Sequence, residues 1–469
     1  MSVKNVHDAS TAIHPETHDE LRTVKRANKD DIVPDDATTL SDSELAREAA
    51  LTALTVEEEK KLIRKVDWRL IPLLAMLYLV KKLDESNVSQ ARIMNKGTER
   101  NILTQLDVTS DQYGMVTVLY TVPYILAEIP SNLLLKRFKP SRWQSRIMLS
   151  WGIVTACTAA VHNLGGLYAC RFLLGLTEAG MFPGIILQLS YWYRPDEIAV
   201  RLMWIFPGNT KWLSPVESAF LQARLPPNSP RSSEKNFAGS EIIASLKDKR
   251  LWLFTLSWAM MTCGKNGIDF YRPSIIANMG FSDIATAQVL NIPTSAVAIF
   301  LILSLGTWSN KAKIPLPLFP IGCTVVIVAM YSILVVYPND IGVYIGMMIG
   351  VACGTAWFPL MWPWRAQTVN GATGSAFAIG FVNSYGQVGD ALGPQMFQEK
   401  YAPSYQLPFG LSMGLVGLCG IVNGVTWWVT RRTENDTRRH KRARILAKKN
   451  NEAVLDDVVD LDLGRKLRV

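Results

Sequence analysis

Charged and amide side chains interrupt otherwise apolar stretches of this chain, and their types and spacing limit the chemistry they can do. Arg171 and Glu178 stand seven residues apart in one such stretch, so a helix would place them on a shared face about two turns apart. They are too distant to pair along the helix, and each needs water or a partner on another helix. A carboxylate held out of water can take up and release a proton, which is what coupling a proton to another movement requires. Lys81, Lys82, Asp84, Glu85 and Asn87 close an earlier apolar stretch; Lys265, Asp269, Arg272, Arg365, Asn383, Gln387 and Asp390 mark later ones. An ionisable group in such a setting is costly and marks a functional position by default. A plainer role, an interhelical ion pair that locks helices together, is open to Arg171, Glu178 and Asp84. Lys81 and Lys82 are expected to snorkel to the surface. Glu128, followed by Pro130 and the basic run Lys136 to Arg142, is expected to enter a structural or gating charge network with Arg137 and Arg142. Gly386, Gly389 and Gly393, with Pro394, predict close helix packing and a hinge.

Other chemistry is not signalled. No spacing of histidine, cysteine or carboxylate suggests a catalytic or metal site, nothing resembles a nucleotide-binding loop, and no cofactor is implied. The six cysteines, Cys157, Cys170, Cys263, Cys323, Cys353 and Cys419, all fall in apolar runs and read as buried free thiols. The chain is expected to be no enzyme and not to drive movement with ATP by itself. Its net charge of +9 alternates between loops, so no nucleic-acid partner is expected.

These side chains need elements that hold them inside a bilayer. Of the 469 residues, 49% are hydrophobic, concentrated between a polar beginning and a basic end. Apolar runs recur at residues 70–83, 113–135, 147–162, 167–192, 251–276, 285–305, 316–336, 341–362, 375–397 and 409–429. Runs of about 20 residues match a hydrocarbon core about 30 Å thick. Every backbone polar group must be satisfied within lipid, so each run is predicted to be a helix. The predicted fold class is an all-α polytopic membrane protein with about ten transmembrane helices. Lys and Arg cluster before the first run, between the second and third, after the fourth, at Lys311 and Lys313, and after the last, while residues 163–166, 278–283 and 338–340 have none. This alternation predicts both ends and the long central loop in the cytoplasm. The charge-mixed stretch 84–111 fits it less well. No apolar leader precedes Asp67, so the first run is expected to act as the start signal. The beginning, to about Ser41, is expected to be disordered, and residues 45–65 to form a surface helix.

Several motifs together resemble a known family. Leu83-Asp84-Glu85-Ser86-Asn87 is similar to the segment that ends the first helix of the anion:cation symporters of the major facilitator superfamily. Glu128-Ile129-Pro130-Ser131-Asn132-Leu133, with Pro140-Ser141-Arg142-Trp143, resembles the second helix and following loop of the fungal allantoate, nicotinate and pantothenate permease branch. Arg171-Phe172-Leu173-Leu174-Gly175, Glu178-Ala179-Gly180, Phe182-Pro183-Gly184 and Tyr191-Trp192-Tyr193 match its fourth helix; Asn383-Ser384-Tyr385-Gly386-Gln387 and Gly393-Pro394-Gln395 match its eleventh. The resemblance runs from about residue 60 to about residue 435. It implies a major facilitator fold of twelve helices in two halves with a midplane site between them. It also implies a small carboxylate, vitamin-like or related organic solute carried with protons. On that basis Asp84 and Glu178 are the expected proton carriers. Arg171, Glu85 and Asn87 are the expected solute contacts from the first half, and Asn383, Tyr385 and Gln387 those from the second. The solute, protons and the lipid bilayer are the expected partners, and the plasma membrane the expected location.

Two features depart from the family pattern. About ten helices are visible rather than twelve. Leu202 to Phe206 is apolar but runs straight into Pro207-Gly208-Asn209-Thr210-Lys211, and Pro207 to Arg224 resembles the family's central loop, which follows its sixth helix. Helices five and six are therefore expected to be missing as a pair. The expected organisation is a polar N-terminal tail at 1–65, an incomplete four-helix bundle at 66–206, a cytoplasmic central loop at 207–250, a six-helix bundle at 251–430 and a basic tail at 431–469. The second departure is Glu85, which stands where the family has Arg. It disfavours an ordinary small anion unless Lys81, Lys82 or Lys265 supplies the positive charge. Proton-coupled secondary transport is the expected function. Export of a secondary metabolite, or a non-transporting truncated form or nutrient sensor, are the alternatives.

Overall fold

The computed structural model describes residues 23–25, 49–50, 53–95, 97–138, 140–190, 214–223, 238–278, 289–336, 338–368, 372–398, 401, 404–450 and 452–454. Within them the chain forms helices α1 (Val56–Ile93), α2 (Ile102–Gln105), α3 (Ser110–Arg137), α4 (Pro140–Thr158), α5 (Leu164–Glu178), α6 (Met181–Ser190), α7 (Pro215–Ala223), α8 (Gly239–Lys247) and α9 (Lys249–Asn278). They continue with α10 (Asn291–Asn310), α11 (Leu318–Val336), α12 (Asp340–Ala366), α13 (Ala372–Gly386), α14 (Val388–Met396) and α15 (Gln406–Lys449). Two short strands, β1 (Thr23–Lys25) and β2 (Glu452–Val454), pair antiparallel.

Each of the ten apolar runs is helical over most of its described residues. Six stretches, Ser110–Leu135, Leu164–Leu187, Asn291–Asn310, Leu318–Val336, Asp340–Ala366 and Gln406–Lys449, are long and apolar enough to cross a membrane. The protein is an all-α, multi-pass membrane protein. Local chemistry starts its helices. Thr55 and Thr109 form capping boxes with Glu58 and Gln112, and Asn163 and Asn339 accept from the backbone N–H groups of Gly166 and Gly342. Pro123 and Pro130 in α3, Pro273 in α9 and Pro359 and Pro363 in α12 sit inside helices, where neighbouring groups in a membrane bundle re-satisfy the freed carbonyls.

Helices α3 to α6 pack on one another as the first bundle, and α9 to α15 as the second. The core of the second is aromatic. Trp258 meets Trp357 edge-on at 5.2 Å and Trp362 at 4.8 Å, and Phe254 meets Trp364 at 5.2 Å. Outward faces are apolar, with Leu149 and Ile153 of α4 and Ile299 and Phe300 of α10 exposed, as contact with lipid requires. The halves meet where α3 packs along α13 and α14, and where α1 packs on α9. The two ends of the chain come together through β1 and β2 and through Lys448, 3.6 Å from Glu59. Close by on α1, Lys65 binds Glu217 of α7 at 2.8 Å.

Several expectations change. From Val56 onward the surface helix expected at 45–65 and the first apolar run form one rod, α1, because Glu57 to Lys65 are good helix formers that lead into the run without a break. The fourth run is broken between α5 and α6. Gly180 there adopts φ +87°, and a Cβ on it would collide with the Ser131 side chain, so glycine alone fits. The basic tail expected from 431 is helical as far as Lys449, and Arg442 on it donates to the Ala312 carbonyl at 2.9 Å. Cys323, Cys353 and Cys419 are buried, but Cys170 and Cys263 are only partly so and Cys157 is exposed. The expected loss of two helices at the Phe206–Pro207 junction lies outside the described residues, as do Tyr191 to Tyr193.

Candidate functional site

Tyr120, Tyr124, Glu128 and Asn132 recur every four residues along α3, so they form one polar face of a mostly apolar helix. Tyr120 and Tyr124 stack with ring centroids 5.7 Å apart. The Tyr120 hydroxyl donates to Glu178 Oε2 at 2.8 Å. Lys81 Nζ of α1 binds Glu178 Oε1 at 2.8 Å and lies 5.3 Å from the centre of the Tyr124 ring. The Lys81 and Glu178 side chains are only 13% and 4% exposed. Each oxygen of this carboxylate thus has its own donor, one cationic and one neutral. Glu178 is also the last residue of α5, at the break before α6. Broken helices inside a membrane bundle are tolerated where they are buried in protein or line a site.

Farther along the same face, fully buried Glu128 accepts from Ser384 Oγ of α13 at 2.7 Å and from Asn383 Nδ2. Both donors are neutral, and among the described residues no basic side chain pairs with this carboxylate. Asn132 donates to the Ala376 carbonyl at 3.4 Å. The α3 face therefore joins the first half to the second just before the break between α13 and α14 at Gln387. Glycine allows α13 and α14 to approach α9: a Cβ on Gly386 would meet the Trp258 ring at 2.7 Å, and one on Gly389 would run into the backbone of Cys263. That matches the close packing expected of these glycines.

The second half carries its own ionic group. Lys265 of α9 binds Asp269 one turn on, Arg272 Nη1 lies 3.9 Å from the same carboxylate, and Asn266 binds Asp390 of α14. The Lys265 side chain is 9% exposed and lies against Gly354 of α12, where a Cβ would come within 2.8 Å of its Cδ. Among the described residues no group of His, Cys, Asp and Glu is placed to hold a metal ion.

The family model of the Major Facilitator Superfamily matches residues 70–210 and 211–394. The chain belongs to the major facilitator superfamily. It is similar to the MFS-type transporter cnsO of Penicillium expansum, 26% identical over 447 residues that cover 81% of this chain and 85% of that one. It is equally 26% identical over 410 residues to a putative tartrate transporter of Agrobacterium vitis, covering 72% of this chain and 88% of that one. Over a shorter stretch of 134 residues, 29% of each chain, it is 41% identical to the putative metabolite transport protein NicT of Pseudomonas putida. Its fold matches the E. coli fucose:proton symporter FucP with a TM-score of 0.51 at 10% identity, covering 73% of this chain and 97% of that one.

In this facilitator the structure gathers some of the expected site residues and scatters others. Glu178 and Asn383 both contact the α3 face. Asp84 turns toward α4, where its Oδ2 accepts from Trp151 Nε1 at 3.1 Å. Arg171 does not meet Glu178; it is half-buried, and its Nε has no hydrogen-bond partner. Glu85 is bound to Lys82 at 2.7 Å with half of its side chain exposed, and Asn87 is exposed. Tyr385 is also exposed and lies against Phe381 at 4.6 Å, while Gln387 stands before α14 without a side-chain cap. Two placements reverse the sequence reading. Lys81 is not at the surface, because Glu178 and the Tyr124 ring compensate its charge in the interior. Glu128 is held by Asn383 and Ser384 rather than by the basic run, since Arg137 and Arg142 are exposed more than two turns beyond it. Tyr120 and Tyr124 escaped the sequence reading altogether, and Ser384 entered it only within a family motif. The four-residue spacing of the two tyrosines with Glu128 is the signal that would have found the tyrosines.

Proposed function

We propose that this facilitator is a secondary active transporter that couples proton movement to that of a small organic solute. The observation that carries the reading is Glu178, buried at a helix break between Lys81 and Tyr120. Ionised, Glu178 neutralises Lys81. Protonated, it releases Lys81 to a solute that bears negative charge, and Tyr120 is free to turn its hydroxyl toward that solute. When the solute leaves, the pair re-forms and the proton is expelled. An unpaired charge in hydrocarbon costs several kcal/mol, so the half-loaded states are disfavoured and the two cargoes travel together. Glu128 is a second proton site on the same face. Its two oxygens both accept bonds from the other half, so a proton there removes one acceptor and loosens the contact between halves that must rock for alternating access. Asp84, on α1 beside the Lys81 turn, is the third carboxylate of the path. The similarity to a putative tartrate transporter supports a carboxylate solute. The shared face of the chain ends and α7, together with the loop charges, supports a cytoplasmic position for both ends.

The test is flux under an imposed proton gradient into vesicles reconstituted with the purified chain, carrying a helical pair from a relative between Phe206 and Pro207. Glu178→Gln should abolish accumulation against a solute gradient while solute exchange continues. Undiminished uphill accumulation in that variant would remove Glu178 from the mechanism.

A second reading concerns how active this chain is. We infer that helices five and six of the first half are missing and that the chain transports poorly or not at all. Three observations support it. The alignment with cnsO runs over 447 positions but uses only 81% of this 469-residue chain, so several tens of positions of that relative have no counterpart here. The NicT alignment, confined to 29% of the chain, needs no such gap. The family match divides between residues 210 and 211, beside the Phe206–Pro207 junction. Finally, α3 is the second crossing of its half and packs on α13 and α14, the fifth crossing of the other. The repeat of the halves calls for a fifth crossing of the first half against α10. Only 22% of the α10 span is buried, against 39% for α3 and 56% for α12.

A further inference from the structure

The first crossings of the two halves, α1 and α9, carry the same ionic pattern. Lys81 precedes Glu85 by four residues on α1, and Lys265 precedes Asp269 by four on α9. Lys81 reaches the fourth crossing of its half, where it binds Glu178 of α5 at 2.8 Å. Lys265 lies against the fourth crossing of its own half, at Gly354 of α12. The two helices pack on each other, and Lys265 is close enough for its charge to act on Glu85, one turn from Lys81. The lysines thus hold similar places on the first crossings of the two halves, both nearly buried, and each is occupied by one acid, Glu178 or Asp269.

We propose that the site takes an organic dianion, whose two carboxylates replace Glu178 on Lys81 and Asp269 on Lys265 while each displaced acid takes up one proton. This rests on the transport reading and names its substrate class. The charges balance, because a dianion enters with two protons and no net charge is added to the interior. Glu178 faces Lys81 from α1 and Tyr120 and Tyr124 from α3. Asp269 faces Lys265 and Arg272 from α9 and Tyr331 from α11. Glu85 and Asp390 act on the same space, the first largely offset by Lys82 and the second held by Asn266. A monocarboxylate would satisfy one lysine and leave the other with its acid. Two separate monoanions would satisfy both but lose the motional freedom of two molecules instead of one.

The experiment measures binding to the full chain, purified in detergent, of malonate, succinate, glutarate and adipate, each beside its half-amide, by calorimetry at acidic and neutral pH. At least one dicarboxylate should bind about tenfold or more tightly than its half-amide, as loss of one charge-assisted contact implies. Binding should tighten as pH falls and take up about two protons per ligand. Lys81→Gln and Lys265→Gln should each lower the dicarboxylate to the affinity of its half-amide, while Lys265→Arg keeps the preference. A half-amide that binds as tightly as its diacid overturns the proposal in the unmodified chain, and so does a series in which nothing binds. Because binding is read without flux, a chain that binds diacids but fails to accumulate them even with a helical pair inserted between Phe206 and Pro207 defeats the transport reading and upholds the dianion site. Accumulation of half-amides alone does the reverse.

Discussion

The two halves of this facilitator are held together by different means. The second closes around aromatic side chains, with Trp258, Trp357 and Trp364 all fully buried. The first exposes Phe172, Leu173 and Leu176 of α5, and beside buried apolar side chains such as Trp151, Leu174 and Ile185 it joins its helices through a polar group, Lys81–Glu178–Tyr120. Six crossings can surround a core on all sides, whereas the described crossings of the first half cannot. Buried polar contacts must then specify how those crossings meet, while apolar faces are left to lipid. The contrast also reaches into the second half, because α10 is the crossing that the proposed missing pair would cover.

The largest expected effect restores the symmetry. Inserting a helical pair of about 50 residues from a relative between Phe206 and Pro207, two spans of about 20 residues and a turn, should turn weak or absent flux into saturable, pH-dependent flux in reconstituted vesicles. Equal flux from the unmodified and repaired chains would show the pair to be dispensable. The next effect separates the cores. Trp258→Ala should cost about 3–5 kcal/mol in thermal or denaturant unfolding, whereas Phe172→Ala on the open face of α5 should stay within about 0.5 kcal/mol. Similar losses would erase the contrast. Phe300→Ala on α10 sharpens it: near neutral in this chain, it should become clearly destabilising once the pair is inserted.

A smaller effect tests the polar joint between halves. Glu128→Ala leaves the Asn383 and Ser384 donors buried without an acceptor and should cost about 1–3 kcal/mol. Combined with Asn383→Ala, the loss should be well below the sum of the two single losses, and strict additivity would mean that the two side chains do not act on each other. The smallest effect lies on the exposed face. Burial pushes the Glu217 carboxyl up, but Lys65 and the hydrogen bonds at Ser214 outweigh it and hold the carboxyl below its ordinary value. A carboxyl depressed in this way contributes stability above its unfolded value and loses it as pH falls through its folded value. Hydrogen exchange of α7 should therefore quicken in acid, by an amount equivalent to at most about 1 kcal/mol for so solvated a pair. Glu217→Gln should remove that dependence; if it persists in the variant, the Lys65 contact is not its source.

Much of this architecture was legible from residue order alone. A bilayer leaves helices as the solution for long apolar runs in such a chain, so the ten runs are helical over most of their described length, and the motifs around Glu128, Arg171, Glu178 and Asn383 pointed to the major facilitator superfamily. Capping residues such as Thr55 and Thr109 set where helices begin, because those bonds are local in sequence. The tertiary structure decided which charges meet. Lys81 and Glu178 lie on different helices, and a snorkelling lysine and a buried one look alike until the partner helix is placed. Glu128 had a basic run close by in sequence and two neutral donors far off in the chain, and packing chose the distant pair. The breaks after Glu178 and at Gln387 also belong to tertiary structure. A helix interrupted inside a membrane bundle persists where neighbouring helices satisfy its freed backbone, and local sequence does not record where those neighbours stand.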